Sequence, residues 1–277
     1  MKRKISFVTF GDSGFFPFIK TNLKAINQLY PESKIFICNF GFEKEELGAL
    51  KNFNNVEIIN WNEREELRKF FHSKRRSFFD ELFKLKKYNK IFRILLNRLF
   101  ISEGTYRAIF QHFLLSKPII LPKIISRINN DYLVLLDGDA LLTDNINEIF
   151  KNSFEIGVTA DNGKKVNAGV LFFKCSDKRK LIFSSEWIGK TLIELQNNPL
   201  IPWGIIPEQD ALEKMAFGPY PNKENILYKE FPRSIYNYTT PEKGIKGKKI
   251  IHYKGVGSRK EAPPYLEEIK RKFKKVN

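Results

Sequence analysis

The stretch from Asp131 to Leu142, Asp-Tyr-Leu-Val-Leu-Leu-Asp-Gly-Asp-Ala-Leu-Leu, restricts this chain more than any other. Five apolar residues run unbroken from Tyr132 to Leu136, too few for a buried helix but suited to a strand covered on both faces of a parallel sheet. The strand stops at two carboxylates. With only Gly138 between them, Asp137 and Asp139 can both turn toward one point beyond the strand's end, where open α/β sheets place their ligands. Paired Asp oxygens there make a hard anionic site for Mg²⁺ or Mn²⁺, and such an ion can hold a diphosphate. An isolated D-x-D is more often a surface turn, because Asp-Gly is a common turn dipeptide. The rest of the chain has to decide.

The N-terminal segment alternates strand and helix. Ile5 to Phe10 reads as a strand ending at Gly11-Asp12-Ser13-Gly14, whose glycines allow a tight backbone and close ligand approach. This is not G-x-G-x-x-G, so a dinucleotide fold gains little. Phe18 to Leu29 carries apolar residues at helical spacing, Lys34 to Phe40 is a second strand, Phe42 to Lys51 a short helix and Val56 to Asn60 a third strand. This order predicts a right-handed, parallel α/β sheet. At 277 residues and 42% hydrophobic, the chain can bury a full core.

Charge and cysteine usage narrow the partners. The net charge of +17 points to an anionic partner: nucleic acid, phospholipid headgroups or a phosphorylated substrate. No helix-turn-helix, zinc-finger or RNP pattern is present, so specific nucleic-acid binding is not expected. Cys38 and Cys175 both lie in apolar runs and read as packed thiols of a reducing compartment. With no apolar stretch long enough to span a membrane, the expected location is cytoplasmic. Between Arg68 and Phe100, eleven Lys/Arg face two acids, with Phe78, Leu82, Leu85, Phe92, Leu95 and Leu99 interleaved. Two readings stay open for this segment: a basic amphipathic helix lying on the cytoplasmic face of an anionic membrane, or a core-packing face with solvated lysines.

Four further pieces surround the central strand. Lys117 and Lys123 lie on a helical stretch just before it, interrupted by Pro118 and Pro122. After it come the polar turn starting at Asp161 and then Asn167-Ala168-Gly169, directly before an apolar strand, where an amide suits sugar hydroxyls or simply occupies a turn. Glu208-Gln209-Asp210 opens a helix, where acids also serve as dipole-favoured caps. Ile250-Ile251-His252-Tyr253-Lys254-Gly255 is an apolar strand ending in His, Lys and Gly, and Lys270 to Lys275 forms a basic tail expected to fray.

Taken as an ordered set, Asp137-Gly138-Asp139, Asn167-Ala168-Gly169-Val170, Glu208-Gln209-Asp210-Ala211-Leu212 and His252-Tyr253-Lys254-Gly255 resemble the nucleotide-sugar glycosyltransferases of the GT-A fold. The likeness is greatest to family 8, which includes lipopolysaccharide galactosyl- and glucosyltransferases and glycogenin. The intervals, about 30, 40 and 40 residues, also follow that family. The resemblance implies one GT-A catalytic domain over 1–255, a Rossmann-like, mainly parallel sheet flanked by helices, with a basic helical insertion at about 64–104 and a basic tail over 256–277. It implies that Asp137, Asp139 and His252 hold Mn²⁺ (or Mg²⁺) bridging the phosphates of a UDP-sugar. Lys254 and Gly255 would bind phosphate, and Phe10, Gly11 and Asp12 would lie near base and ribose, with Gly138 beside the nucleotide. Asn167, Ala168, Gly169, Asp161, Gln209 and Asp210 would line the donor sugar, with Gln209 near the anomeric carbon and Asp137 also reaching the ribose.

The basic residue that touches the nucleotide in that family has Lys117 and Lys123 as candidates here, both slightly out of register. Beyond His-x-x-Gly the chain reads Val256-Gly257-Ser258-Arg259-Lys260, so Arg259 or Lys260 could take over a phosphate contact. The implied activity is hexosyl transfer to a glycan or lipid-linked acceptor, with retention, in surface polysaccharide or lipopolysaccharide synthesis. If the reaction inverts, Glu208 or Asp210 is the first candidate for general base. Two other classes compete: a sugar-nucleotide pyrophosphorylase, which should carry a basic Gly-rich loop after the first strand, and a non-catalytic binder of anionic membrane or polymer.

Overall fold

The computed structural model describes residues 4–61, 117–174, 179–197, 207–222, 225–239, 244–253 and 264–273. Three N-terminal strands, β1 (Ile5–Gly11), β2 (Lys34–Asn39) and β3 (Val56–Asn60), alternate with α1 (Phe16–Leu29) and α2 (Lys44–Lys51). A helix, α3, covers residues 117–125 and continues through both Pro118 and Pro122. The central strand β4 (Tyr132–Asp137) follows, then the short β5 (Ala140–Leu142), β6 (Ile156–Ala160) and β7 (Val170–Lys174). The chain continues through α4 (Arg179–Asn197), α5 (Pro207–Ala216), β8 (Tyr228–Pro232), α6 (Arg233–Tyr236), β9 (Ile250–His252) and α7 (Pro264–Lys272).

The main sheet has the order β3-β2-β1-β4-β7-β6-β8, and β5 pairs with β9 in a separate two-stranded ribbon. β1 pairs in parallel with both β2 and β4, β7 lies antiparallel to β4 and β6, and β6 is parallel to β8. The sheet is therefore mixed: β7 runs against the other six strands. The mainly parallel sheet expected from the sequence is what forms: the N-terminal repeat pairs in parallel through β3-β2-β1-β4, and β7 is the one reversed strand of the seven.

β4 is apolar without alternation because both its faces are covered. Val134 and Leu136 join the core that contains α1 and the ribbon, whereas Leu133 and Leu135 join the core on the opposite face, with α3 and Trp187. All four are fully buried. Successive strand side chains point to opposite faces, so a run with no polar residue requires two apolar layers.

The basic tail departs from expectation. Instead of fraying, residues 264–272 form α7, and Leu266, Ile269 and Phe273 are buried in the core shared with α1. Steps of three and four residues put these side chains on one helix face, and Lys272 Nζ donates to the Thr143 carbonyl at 2.6 Å. Leu266→Ala should therefore cost about 2–5 kcal/mol in urea denaturation, as a core truncation does. An unchanged midpoint would return this segment to a solvated tail. The proposed insertion at 64–104, Cys175, and Lys254, Gly255, Arg259 and Lys260 lie outside the described residues.

Candidate active site

The ends of β1, β4 and β9 converge. Phe10 pairs with Asp137 across β1 and β4, so the carboxylate stands at the carboxyl edge of the sheet, beside the Gly11-Asp12 turn. Gly138 turns the chain out of β4, and a Cβ there would stand 2.4 Å from the Phe10 carbonyl oxygen and 2.9 Å from the Phe15 ring. Only glycine lets the backbone pass so close. Asp139 follows, and the ribbon does the rest: Ala140 is the partner of His252 in the β5–β9 pairing, and Tyr253 N–H donates to the Asp139 carbonyl at 2.9 Å.

The imidazole thereby arrives at the acidic pair. His252 Nε2 lies 3.2 Å from Asp139 Oδ1 and 3.7 Å from Asp137 Oδ2, and one donor atom from each of the three residues falls within 4.8 Å of the others. In an octahedron with bonds near 2.1 Å, neighbouring donor atoms are roughly 3 Å apart, so this spacing fits a small divalent ion. Two carboxylates and an imidazole are also the donor chemistry that Mn²⁺ and Mg²⁺ accept. Gly169 makes room for the ring: a Cβ there would lie 2.2 Å from His252 Cε1 and 2.6 Å from Nδ1.

Lys117 supplies the cation on the other side. Buried on α3, its Nζ lies 2.7 Å from Asp137 Oδ1, which leaves Oδ2 turned to His252. Burial pulls the ammonium's pKa down, but the charges of Asp137 and Glu208 together with the hydrogen bond to Asp137 outweigh it, and the net shift is upward. Lys123 points elsewhere, its Nζ 5.1 Å from the centre of the Trp61 ring. Six residues apart on a helix, the two lysines occupy different faces, so only one can reach the strand end.

Glu208 is fully buried in the first turn of α5, and among the described residues neither of its carboxylate oxygens has a hydrogen-bond partner. Burial pushes its pKa up to about 7, against the pull of Lys117 and with the added repulsion of Asp137. A carboxyl that ionises less readily in the folded than in the unfolded chain favours folding at low pH and loses that contribution as pH rises from 4.5 through about 7. Each pKa unit corresponds to about 1.4 kcal/mol, so the ionised carboxylate costs up to roughly 3 kcal/mol above pH 7. Glu208→Gln should exceed the wild type in urea stability at pH 8 and lose that margin toward pH 5. A margin independent of pH would contradict this account.

The remaining predicted residues divide. Asn167 is buried, its Oδ1 accepts from Gly169 N–H at 2.8 Å, and its Nδ2 has no partner among the described residues. Ala168 N–H donates to Gln209 Oε1 at 3.1 Å, and the Gly169 carbonyl accepts from Asp137 N–H at 2.8 Å, so this loop, α5 and β4 are tied together. Phe10 stacks on Phe40 at 6.1 Å, and Asp12 caps the following turn through Gly14 N–H at 2.9 Å; burial raises its pKa. Asp210 is half-buried in the first turn of α5, and burial, then the charge of Glu194, raises its pKa. Asp161 lies in an exposed turn, 3.7 Å from Arg233 Nη1, and the geometry does not tie it to the metal-ligand set.

Sequence reasoning missed Asn237. It is wholly buried, and its Oδ1 lies 2.9 Å from His252 Nδ1. No motif marks it; a single Asn after a four-residue helix carries no signal until β9 packs on it.

A mixed α/β sheet with a D-x-D at the end of its central strand and a histidine folded back onto it has the architecture of the GT-A glycosyltransferases. Structural comparison bears this out at low sequence identity. The glycosyltransferase GlyE of Streptococcus pneumoniae TIGR4 matches with a TM-score of 0.54 and 14% identity, over 100% of this chain and 61% of that one. The galactosyltransferase LgtC, in complex with donor and acceptor sugar analogs, matches with a TM-score of 0.53 and 12% identity, over 95% and 99% of the two chains. The bifunctional glycosyltransferase WbbM matches at 0.55 and 10%, over 100% and 50%. The chain thus spans about three fifths of GlyE and half of WbbM. No family model and no curated protein matches the sequence.

Proposed function

We propose that this chain is a metal-dependent glycosyltransferase that moves a hexose from a UDP-sugar to a glycan or lipid-linked acceptor, with retention, in surface polysaccharide or lipopolysaccharide synthesis. The observation that carries the reading is the convergence of Asp137, Asp139 and His252 within 4.8 Å at the end of the central strand. Those three residues would hold Mn²⁺ or Mg²⁺, which when bound neutralises charge on a departing diphosphate.

The chain's own groups do the positioning. Lys117 pins Asp137 through Oδ1 and keeps Oδ2 on the side of His252. Lys254 and Gly255 bind phosphate, while Phe10, Gly11 and Asp12 receive the base and ribose. Asn167 Nδ2, without a partner among the described residues, offers a donor to a sugar hydroxyl, and Gln209, its Oε1 held by Ala168 N–H, presents its amide NH₂ to the donor sugar. No carboxylate is assigned as a nucleophile. In an inverting reaction Glu208, with its pKa near 7, or Asp210 serves as general base. No helix among the described residues is long and apolar enough to cross a membrane. Attachment to an anionic cytoplasmic surface through the basic segment 68–100 completes the proposal, and co-sedimentation with anionic but not neutral vesicles checks it.

The deciding experiment incubates the protein with a panel of UDP-sugars and Mn²⁺. Free UDP that disappears with EDTA is the expected product. Release of pyrophosphate would identify a nucleotidyltransferase instead, and no release with any donor would sink the enzymatic reading. Thermal stabilisation by one donor of the panel would name the sugar, since a ligand that binds only the folded state raises stability by mass action.

A further inference from the structure

The buried amide of Asn237 has one orientation that satisfies its neighbours. Asn237 Nδ2 lies 2.7 Å from Thr159 Oγ1 and 3.2 Å from the Asn167 carbonyl oxygen. Thr159 Oγ1 in turn lies 3.1 Å from that carbonyl and 3.3 Å from the Val170 carbonyl. Both carbonyls only accept, so the single hydroxyl proton of Thr159 goes to one of them, and Thr159 must accept from Asn237. The amide NH₂ therefore faces Thr159 and Asn167, and the amide oxygen faces His252. An amide oxygen only accepts, so His252 Nδ1 must carry a proton to donate across the 2.9 Å contact.

This matters because the opposite end of the ring is contested. Nε2 lies 3.2 Å from the Asp139 carboxylate, so a neutral imidazole left to itself would put its proton on Nε2 and donate to Asp139. That tautomer has no lone pair on Nε2, the ring nitrogen facing the aspartates, to offer a cation. We propose that Asn237 is a positioning residue that holds the His252 proton on Nδ1 and so leaves Nε2 free as a metal donor. The inference rests on the metal site of the proposed function. It also gives Asn237 a second task, since the amide that orients the ring also holds the backbone of Asn167, two residues before Gly169, on which the ring packs. Outer partners of metal-bound histidines typically change affinity by about 10- to 100-fold when removed.

The test has two arms, neither of which uses turnover. Imidazole ¹⁵N resonances of the metal-free wild type, with the His252 signal identified by its loss in His252→Gln, should show Nδ1 protonated. In Asn237→Ala the proton should move to Nε2. In parallel, Mn²⁺ titration by calorimetry should show affinity falling about 10- to 100-fold in Asn237→Ala. Asn237→Asp, which still accepts from Nδ1 but loses the donors to Thr159 and Asn167, should keep Nδ1 protonated. A wild-type ring protonated only on Nε2 overturns the inference without any variant having to fold. So does a folded Asn237→Ala with unchanged Mn²⁺ affinity. A wild type that binds no Mn²⁺ removes the metal site and the positioning role together. Nδ1 protonation and weakened Mn²⁺ binding in a protein that consumes no UDP-sugar would support the inference and remove only the glycosyl-transfer reading.

Discussion

On the proposed function, Asp139→Ala is expected to lower the rate of Mn²⁺-dependent UDP release by about 100- to 1,000-fold, as the loss of one preorganised electrostatic partner does. Its effect on the metal-free fold should be small. Asp139 lies close to His252 and shares the site with Asp137, so its removal deletes a buried charge that has another carboxylate nearby. Two melting curves separate these effects. Without metal the variant should melt near the wild type, whereas the rise in Tm expected of the wild type with Mn²⁺ should be absent from the variant. A variant that keeps this rise would show that the ion sits elsewhere.

Gly169→Ala is the smallest change that should disable the site. The added methyl would lie 2.2 Å from His252 Cε1, 2.6 Å from Nδ1 and 2.9 Å from Asn167 Oδ1, far inside van der Waals contact. The backbone cannot easily retreat, because Gly169 N–H donates to Asn167 Oδ1 and its carbonyl accepts from Asp137 N–H. The imidazole must therefore swing away from the aspartates. Overpacking of this kind costs about 1–3 kcal/mol, and Mn²⁺ affinity should fall with it. Gly189→Ala is the matched control: nothing lies within 4 Å of its Cβ position, inside α4, so the same substitution should add up to about 1 kcal/mol of stability. Equal effects at the two glycines would mean that ring contact is not what constrains Gly169.

Some of this was legible in single stretches of sequence. The apolar run ending in Asp137-Gly138-Asp139 specified a strand buried on both faces with carboxylates at its tip, and Leu133 to Leu136 divide between two cores as that requires. The N-terminal alternation specified parallel pairing, which holds from β3 to β4. The reversal at β7 was hidden, because an apolar strand reads the same in either direction. The tail was misread because its charge outnumbers its three core residues, and charge count says nothing about which face a helix buries.

The pattern of apolar and polar residues along a strand or helix follows from backbone periodicity, so β4, its terminal aspartates and the order of the polar clusters were already determined by the sequence. Which of two lysines reaches Asp137, whether His252 faces the acids, and that Asn237 stands behind it depend on register between segments far apart in the chain. Ala140 had to pair with His252 for the imidazole to arrive. Tertiary packing alone decided that, since pairing between distant strands leaves no trace in any one window of sequence.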